Sequence, residues 1–181
     1  MKGYPRPGKG MSMLTRSSGY GVVWSRSAVV LWLAVMLSTA ACPQQRLRII
    51  KVHDGDTLTG VDSVHVTHKL RLLGIDCPEY PQPYGEEAAK TVQKLCLHDT
   101  VRVFTSKRDR YGRELCTIRL NDGTELNRRL LSLGLAWWFS RYSPNNKEYK
   151  ALEVPARRNR VGLWSQPDPM PPWIYRDSRR K

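Results

Sequence analysis

Five short β-branched and apolar runs divided by Asp/Gly turns, and three amphipathic stretches at helical spacing, follow one another in the order β-β-β-α-β-β-α-α. They predict a mainly β domain with α, a five-stranded OB-type β-barrel with about three packed helices. Closure suits a chain of this size because it leaves no sheet edge exposed.

Leu47 to Val52, Thr57 to Val61 and Val64 to Leu73 are the first three strands, predicted as an antiparallel meander, the last alternating through Val64, Val66, Leu70 and Leu72. His53-Asp54-Gly55-Asp56 and Asp62-Ser63 supply the turns, because Gly tolerates positive φ and Asp bonds its own backbone. From Glu86 to Leu97, Ala89, Val92, Leu95 and Cys96 fall at helical spacing, with Glu86 and Glu87 at the end where the helix dipole favours negative charge. Thr100 to Thr105 and Glu114 to Leu120 complete the strands, the latter closing at Asn121-Asp122-Gly123. Glu125 to Leu133 is a second helix ending at Gly134, and Lys147 to Leu163 a third that Pro155 must kink or split. The run from Gln166 to Pro172 holds too much proline for a regular element, and Arg179-Arg180-Lys181 reads as a mobile basic tail.

Three segments follow: 1–42, 43–166 and a Pro-rich, basic 167–181. Residues 1–42 carry Lys2, Arg6, Lys9, Arg16 and Arg26 with no acidic residue, then the apolar run Ala28 to Leu37 and the small residues Ser38 to Ala41. This is the layout of an export signal, with a start at Met11 or Met13 giving a more ordinary basic region. The apolar run is about half of the roughly 20 residues a spanning helix needs, so no permanent transmembrane span is expected. Cleavage near Ala40 to Cys42 would release the domain to the periplasm or the exterior. Ala40-Ala41-Cys42 also resembles a bacterial lipoprotein box, which would anchor the chain through Cys42, and an uncleaved tether is the third outcome.

The chain holds 30 Lys+Arg against 16 Asp+Glu in 181 residues, a net charge of +14; without residues 1–42 the domain keeps 25 against 16, a net of +9. With 40% hydrophobic and 25% charged residues, collagen-like, fully disordered and polytopic membrane classes are excluded. The basic excess points to nucleic acid, an acidic membrane surface, or no more than a solvated face. Cys77, Cys96 and Cys116 have no zinc-type spacing; one disulfide plus one thiol, or three buried thiols, both fit. His53, His65, His68 and His98 form no nucleophile or zinc pattern. A monomer is the default expectation.

Chemistry concentrates in three stretches. Asp54-Gly55-Asp56-Thr57 sets two carboxylates at a tight turn where oxygen ligands for a hard cation can converge, although such a turn is also a common structural device. Arg71 to Glu79 ends a strand with a cation, Asp76 and, beyond Pro78, Glu79; Asp76 can join a metal while Glu79 reaches a water beside it, and a plain strand-end ion pair would read the same way. Asp109-Arg110-Tyr111-Gly112-Arg113 puts a guanidinium directly after a glycine turn, fit to fork onto a phosphate or to sit in a basic hairpin.

In this order the stretches D-G-D-T, R-x-x-x-x-D-x-P-E and D-R-Y-G-R resemble the staphylococcal nuclease family. The likeness spans about residues 46 to 165, through Tyr84-Gly85-x-Glu87-Ala88, Gly134-Leu135-Ala136, Pro144-Asn145-Asn146 and Leu163-Trp164-Ser165. The resemblance implies a calcium-dependent phosphodiesterase on an OB barrel that cuts DNA and RNA to products with 3'-phosphates. It implies Asp56 and Asp76 as the Ca2+ carboxylates with the Thr57 main-chain carbonyl beside them and Asp54 further out. Glu79 is then the general base, Arg71 and Arg113 face the scissile phosphate, and Arg110, Tyr111 and Tyr142 hold substrate. Only Tyr80 to Pro83 separates Glu79 from Tyr84, where the founding member has a longer lysine-rich loop. Ser140 stands where that enzyme stacks a tyrosine on the base; Trp137, Trp138 or Phe139 offer a substitute stacking face or, as is commoner for aromatics after a helix, are core, and Cys77 replaces a threonine. A second reading is an OB barrel that holds single strands without cutting. Every ligand, base and arginine position carries a competent residue, which favours the nuclease.

Overall fold

The computed structural model describes residues 44–180. The expected export signal, its apolar run and Cys42 lie outside the described residues. Among those described, no helix is long and apolar enough to cross a membrane.

Five strands close into a barrel in the order β1-β2-β3-β6-β5: β1 (Gln44–Val52), β2 (Thr57–Val61), β3 (Thr67–Leu72), β5 (Thr100–Arg108) and β6 (Glu114–Arg119). The interior follows the two-residue period of each strand. Leu47 and Ile49, Leu58, Leu70 and Leu72, Val101 and Val103, and Cys116 and Ile118 all point inward and are buried. Each fully buried aliphatic side chain contributes about 1.5–3 kcal/mol relative to an exposed one. Helix α1 (Gly85–Cys96) adds Ala88, Val92 and Cys96 to this core, and α2 (Leu126–Ser132) adds Leu126, Leu130 and Leu131.

All barrel pairs are antiparallel except the closing pair β3–β6, which is parallel, with Leu70 opposite Glu114, Arg71 opposite Leu115 and Leu72 opposite Cys116. That register matters for function. It lays the start of β6, and so the turn carrying Arg113, beside the end of β3, where Arg71 stands.

The barrel and its strand order agree with the sequence, and four details do not. The third strand starts at Thr67 rather than Val64, because Asp62 Oδ1 accepts the Val64 and Val66 N–H groups at 3.0 and 2.8 Å and holds residues 62–66 as a loop. Val64 and Val66 are exposed there. The third helix, α3 (Lys147–Arg158), stops three residues after Pro155, and Gly162–Ser165 form a separate 3-10 turn. A second, two-stranded sheet pairs β4 (Ile75–Asp76) with β7 (Trp137–Trp138). A fourth helix, α4 (Pro172–Ser178), forms where a basic tail was expected, so the described residues hold four helices where about three were expected. Pro172 opens it, the position at which proline's missing N–H costs nothing.

Candidate active site

The D-G-D-T turn is built by its first residue. Asp54 Oδ1 accepts the N–H groups of Asp56 and Thr57 at 2.9 and 2.7 Å, turning the chain so that Asp56 faces the barrel end. Gly55 allows this turn to press on its neighbours: a Cβ there would stand 2.7 Å from Cys77 Cβ and 2.8 Å from Ala88 Cβ. The Asp56 carbonyl accepts the Leu72 N–H at 2.9 Å, tying the turn to the end of β3. Asp56 is buried, its Oδ2 accepting the Cys77 N–H at 2.7 Å and its Oδ1 the Thr57 hydroxyl at 3.2 Å. The Thr57 carbonyl accepts the His53 N–H at 2.9 Å, within the β1–β2 hairpin.

Asp76 comes from the small sheet. Its backbone pairs with Trp137, and its side chain is buried. Arg71 joins the two carboxylates, with Nη1 on Asp56 Oδ1 and Nη2 donating to Asp76 Oδ1 at 2.6 Å. Two buried anions from distant turns are thus bridged by one planar guanidinium, a geometry lysine does not offer.

Glu79 sits at the rim, its side chain one-third exposed. A short loop aims it: the Glu79 N–H donates to Gln82 Oε1 at 2.9 Å, and the Glu79 carbonyl accepts the Gln82 N–H at 2.8 Å. Gly85 closes the same loop so tightly that a Cβ would lie 2.0 Å from the Glu79 carbonyl oxygen. The four residues between Glu79 and Tyr84 therefore form a compact strut.

Across the cleft, the β5–β6 turn is organised by Asp109. Its Oδ1 accepts the N–H groups of Tyr111 and Arg113, each at 2.9 Å, and its Oδ2 accepts Arg113 Nε at 2.8 Å. Burial raises the Asp109 pKa, but the Arg113 and Tyr111 hydrogen bonds outweigh it, and the carboxyl ends below its usual range. Arg113 is held by its Nε edge, and Arg110 and Arg113 both lie over the Tyr111 ring, 4.8 and 5.5 Å from its centroid.

These groups share one cleft of about 1110 Å³. Asp54, Asp56, Thr57, Arg71, Glu79, Arg110, Tyr111, Arg113 and Tyr142 all line it, and Asp76 is reached behind Arg71. Every site residue expected from the sequence is therefore brought to one place. Phe139 is the substitute aromatic that lines the cleft, with its ring edge on Tyr142 at 5.1 Å; Trp137 is buried behind it. Cys77 is a buried free thiol, and burial carries its pKa well above the ordinary value.

Sequence reading missed α4. Trp173 stacks on Phe139 with centroids 5.0 Å apart and meets the edge of Trp137 at 5.7 Å, while Gln82 Nε2 donates to the Met170 carbonyl at 3.1 Å. This seating delivers Arg176 to the carboxylates. Its Nη2 donates to Asp76 Oδ2 at 2.7 Å and its Nη1 to Glu79 Oε1 at 2.6 Å and Asp76 Oδ1 at 3.2 Å. Burial disfavours the charged guanidinium, but the bonds to Asp76 and Glu79 outweigh it, and its pKa rises above the usual arginine value. The available signal was Pro172 at a helix start with Trp173 and Arg176 three residues apart, on one helical face.

A basic cleft around a carboxylate–guanidinium cluster on a closed five-stranded barrel defines the class, and comparison with known proteins gives the family. Residues 69–166 match the model of the staphylococcal nuclease homologue family. The chain is 35% identical over 151 residues to an uncharacterized endonuclease of Escherichia coli O157:H7, covering 83% of this chain and 97% of that protein. An uncharacterized endonuclease of Haemophilus influenzae is 30% identical over 81% of this chain and 82% of its own length, and a micrococcal nuclease of Shigella flexneri is 31% identical over 82% and 90%. The chain belongs to the staphylococcal nuclease family.

Proposed function

We propose that this protein is an exported, calcium-dependent endonuclease that hydrolyses phosphodiester bonds of DNA and RNA and leaves 3'-phosphate ends. The observation that carries the reading is the cluster of Asp56, Asp76, Arg71 and Glu79 in one basic cleft, with the Arg113 turn facing it.

The donor set fits a hard divalent cation. Asp56 and Asp76 offer only oxygen, and both are buried against cationic guanidinium groups. Among the described residues no group of three or more His, Cys, Asp or Glu side chains is arranged as a metal cluster. A calcium site does not require one, since two carboxylates can be completed by carbonyls, water and a phosphate oxygen. Asp56 and Asp76 are the side chains that would hold the ion; Thr57 supports them through its hydroxyl on Asp56. Calcium, when bound, supplies the positive charge that offsets the phosphate's and makes phosphorus more electrophilic.

The chain's own residues do the rest. Glu79, at the rim, accepts a proton from the water whose oxygen bonds to phosphorus. The bond from phosphorus to the 5'-oxygen breaks, that oxygen takes a proton from solvent water as it leaves, and the phosphate stays on the 3' side. Arg71 and Arg113 donate to the phosphoryl oxygens, whose negative charge grows in the pentacoordinate transition state. Arg110, Tyr111 and Tyr142 hold the flanking nucleotides, through charge and an exposed aromatic face. Digestion of heat-denatured DNA and of RNA with calcium, and with a chelator in its place, tests the reading. Binding without calcium-dependent cleavage would sink it.

A further inference from the structure

Arg176 lies outside residues 69–166, the stretch that matches the family model, on a helix that the barrel does not need for closure. Its guanidinium nevertheless ends at the centre of the site. One face of the fork covers both oxygens of Asp76, and the same Nη1 also holds Glu79. With the Thr57 hydroxyl on Asp56 Oδ1, the Cys77 N–H on Asp56 Oδ2 and Arg71 on Asp76 Oδ1 and paired with Asp56, all four carboxylate oxygens of the pair have a donor. Two positive charges thus balance the buried Asp56 and Asp76. A divalent cation held by Asp76 and a guanidinium covering both Asp76 oxygens compete for that carboxylate: Asp76 Oδ1 already takes Arg71 as well, and like charges at contact repel strongly in a partly buried site.

We propose that Arg176 is a built-in counter-cation that competes with the metal for Asp76 and Glu79 and so sets the metal concentration at which the site loads. The inference rests on the reading of Asp56 and Asp76 as metal carboxylates. With Arg176 in place, one side chain covers Asp76 and engages the Glu79 oxygen needed for proton transfer. Loading requires the Arg176 side chain to swing off both acids, which leaves a guanidinium free at the wall of the substrate cleft. The apparent metal affinity is then the intrinsic affinity reduced by the fraction of molecules with Arg176 released. Trp173, stacked on Phe139, keeps the arginine close and its competition effective.

Calorimetric titration of Ca2+ into the full chain, its Arg176→Gln variant and its Arg176→Lys variant tests this without reference to activity. The expected result is tighter binding by about tenfold or more in Arg176→Gln, and a smaller but clear gain in Arg176→Lys. Lysine keeps the charge and loses the two-pronged grip, so it separates displacement of a ligand from simple charge repulsion. Should Arg176→Gln prevent folding, Arg176→Lys still decides. A parent and variants of equal affinity would overturn the proposal and leave the metal site standing. So would a gain in Arg176→Gln with none in Arg176→Lys, since charge alone would then account for it. No calcium binding by any of the three would overturn both this proposal and the metal reading beneath it.

Discussion

Glu79 and Glu114 show how two acids on one barrel end take different roles. Glu79 sits on a strut fixed by Gln82 and Gly85, one-third exposed at the cleft rim. Replacing it by Gln keeps the shape and removes the proton acceptor. Turnover is expected to fall by orders of magnitude while calcium-supported binding of an inhibitor nucleotide persists; steady-state kinetics and a binding titration check the pair, and a variant as active as the parent removes Glu79 from the mechanism. Glu114 is buried under His68, Thr105 and Arg108, which bond its oxygens at 2.9, 3.1 and 3.0 Å. Burial raises its pKa, and these partners outweigh burial, so the folded-state value lies below the ordinary 4.5. Its contribution is therefore complete above about 4.5 and fades as pH falls through the lower folded value. The stability lost in Glu114→Gln, measured by thermal melts across acidic pH, is expected to shrink as pH drops below that point. A gap that stays constant to strongly acidic pH would exclude this titration as a source of acid lability.

At the scale of elements, legibility depended on how far apart in sequence the cooperating residues stand. Asp54 to Thr57 form the β1–β2 turn, and the Asp/Gly chemistry that marks that turn also builds it, while Arg71 to Glu79 run unbroken from the end of β3 through β4, so both sets of carboxylates could be read directly. The β4–β7 pair could not, because two-residue strands carry no period and Trp137-Trp138 reads equally well as core. Nor could α4: seven residues after a proline run have little intrinsic helical preference, and Trp173 on Phe139 supplies the support that local sequence lacks. The same distance problem hid Arg176, a hundred residues from Asp76. Cysteine chemistry was left open by the sequence and is settled by packing. Cys77, Cys96 and Cys116 are free and buried, with burial lifting Cys96 and Cys116 to about 12 and Cys77 well above its ordinary value. Peptide mapping after alkylation is expected to find all three unmodified in the native protein and modified after denaturation. Rapid native labelling of Cys77 would contradict its enclosure by Gly55 and Ala88.

Over the whole molecule, the basic excess divides by place. Five basic residues lie in the segment 1–42, the proposed export signal, whereas Lys69, Lys107, Arg108, Arg141 and Arg180 line the cleft with the arginines already described. They give attraction to a polyanion that weakens with salt and does not choose sequence. Export makes its own prediction: the N-terminus of protein recovered from the periplasm or medium, read by mass, is expected near Ala40 to Cys42, and an intact Met1 in the exported protein would contradict cleavage. The barrel's contribution is positional, since parallel pairing of β3 with β6 sets Arg71 beside the Arg113 turn, and β4 with β7 sets Asp76 beneath both. The most direct test of the account is calcium-dependent product mapping on heat-denatured DNA and on RNA. Fragments that appear only with calcium and carry 3'-phosphates are predicted; fragments ending in 5'-phosphate, or cleavage undiminished by a chelator, would contradict it.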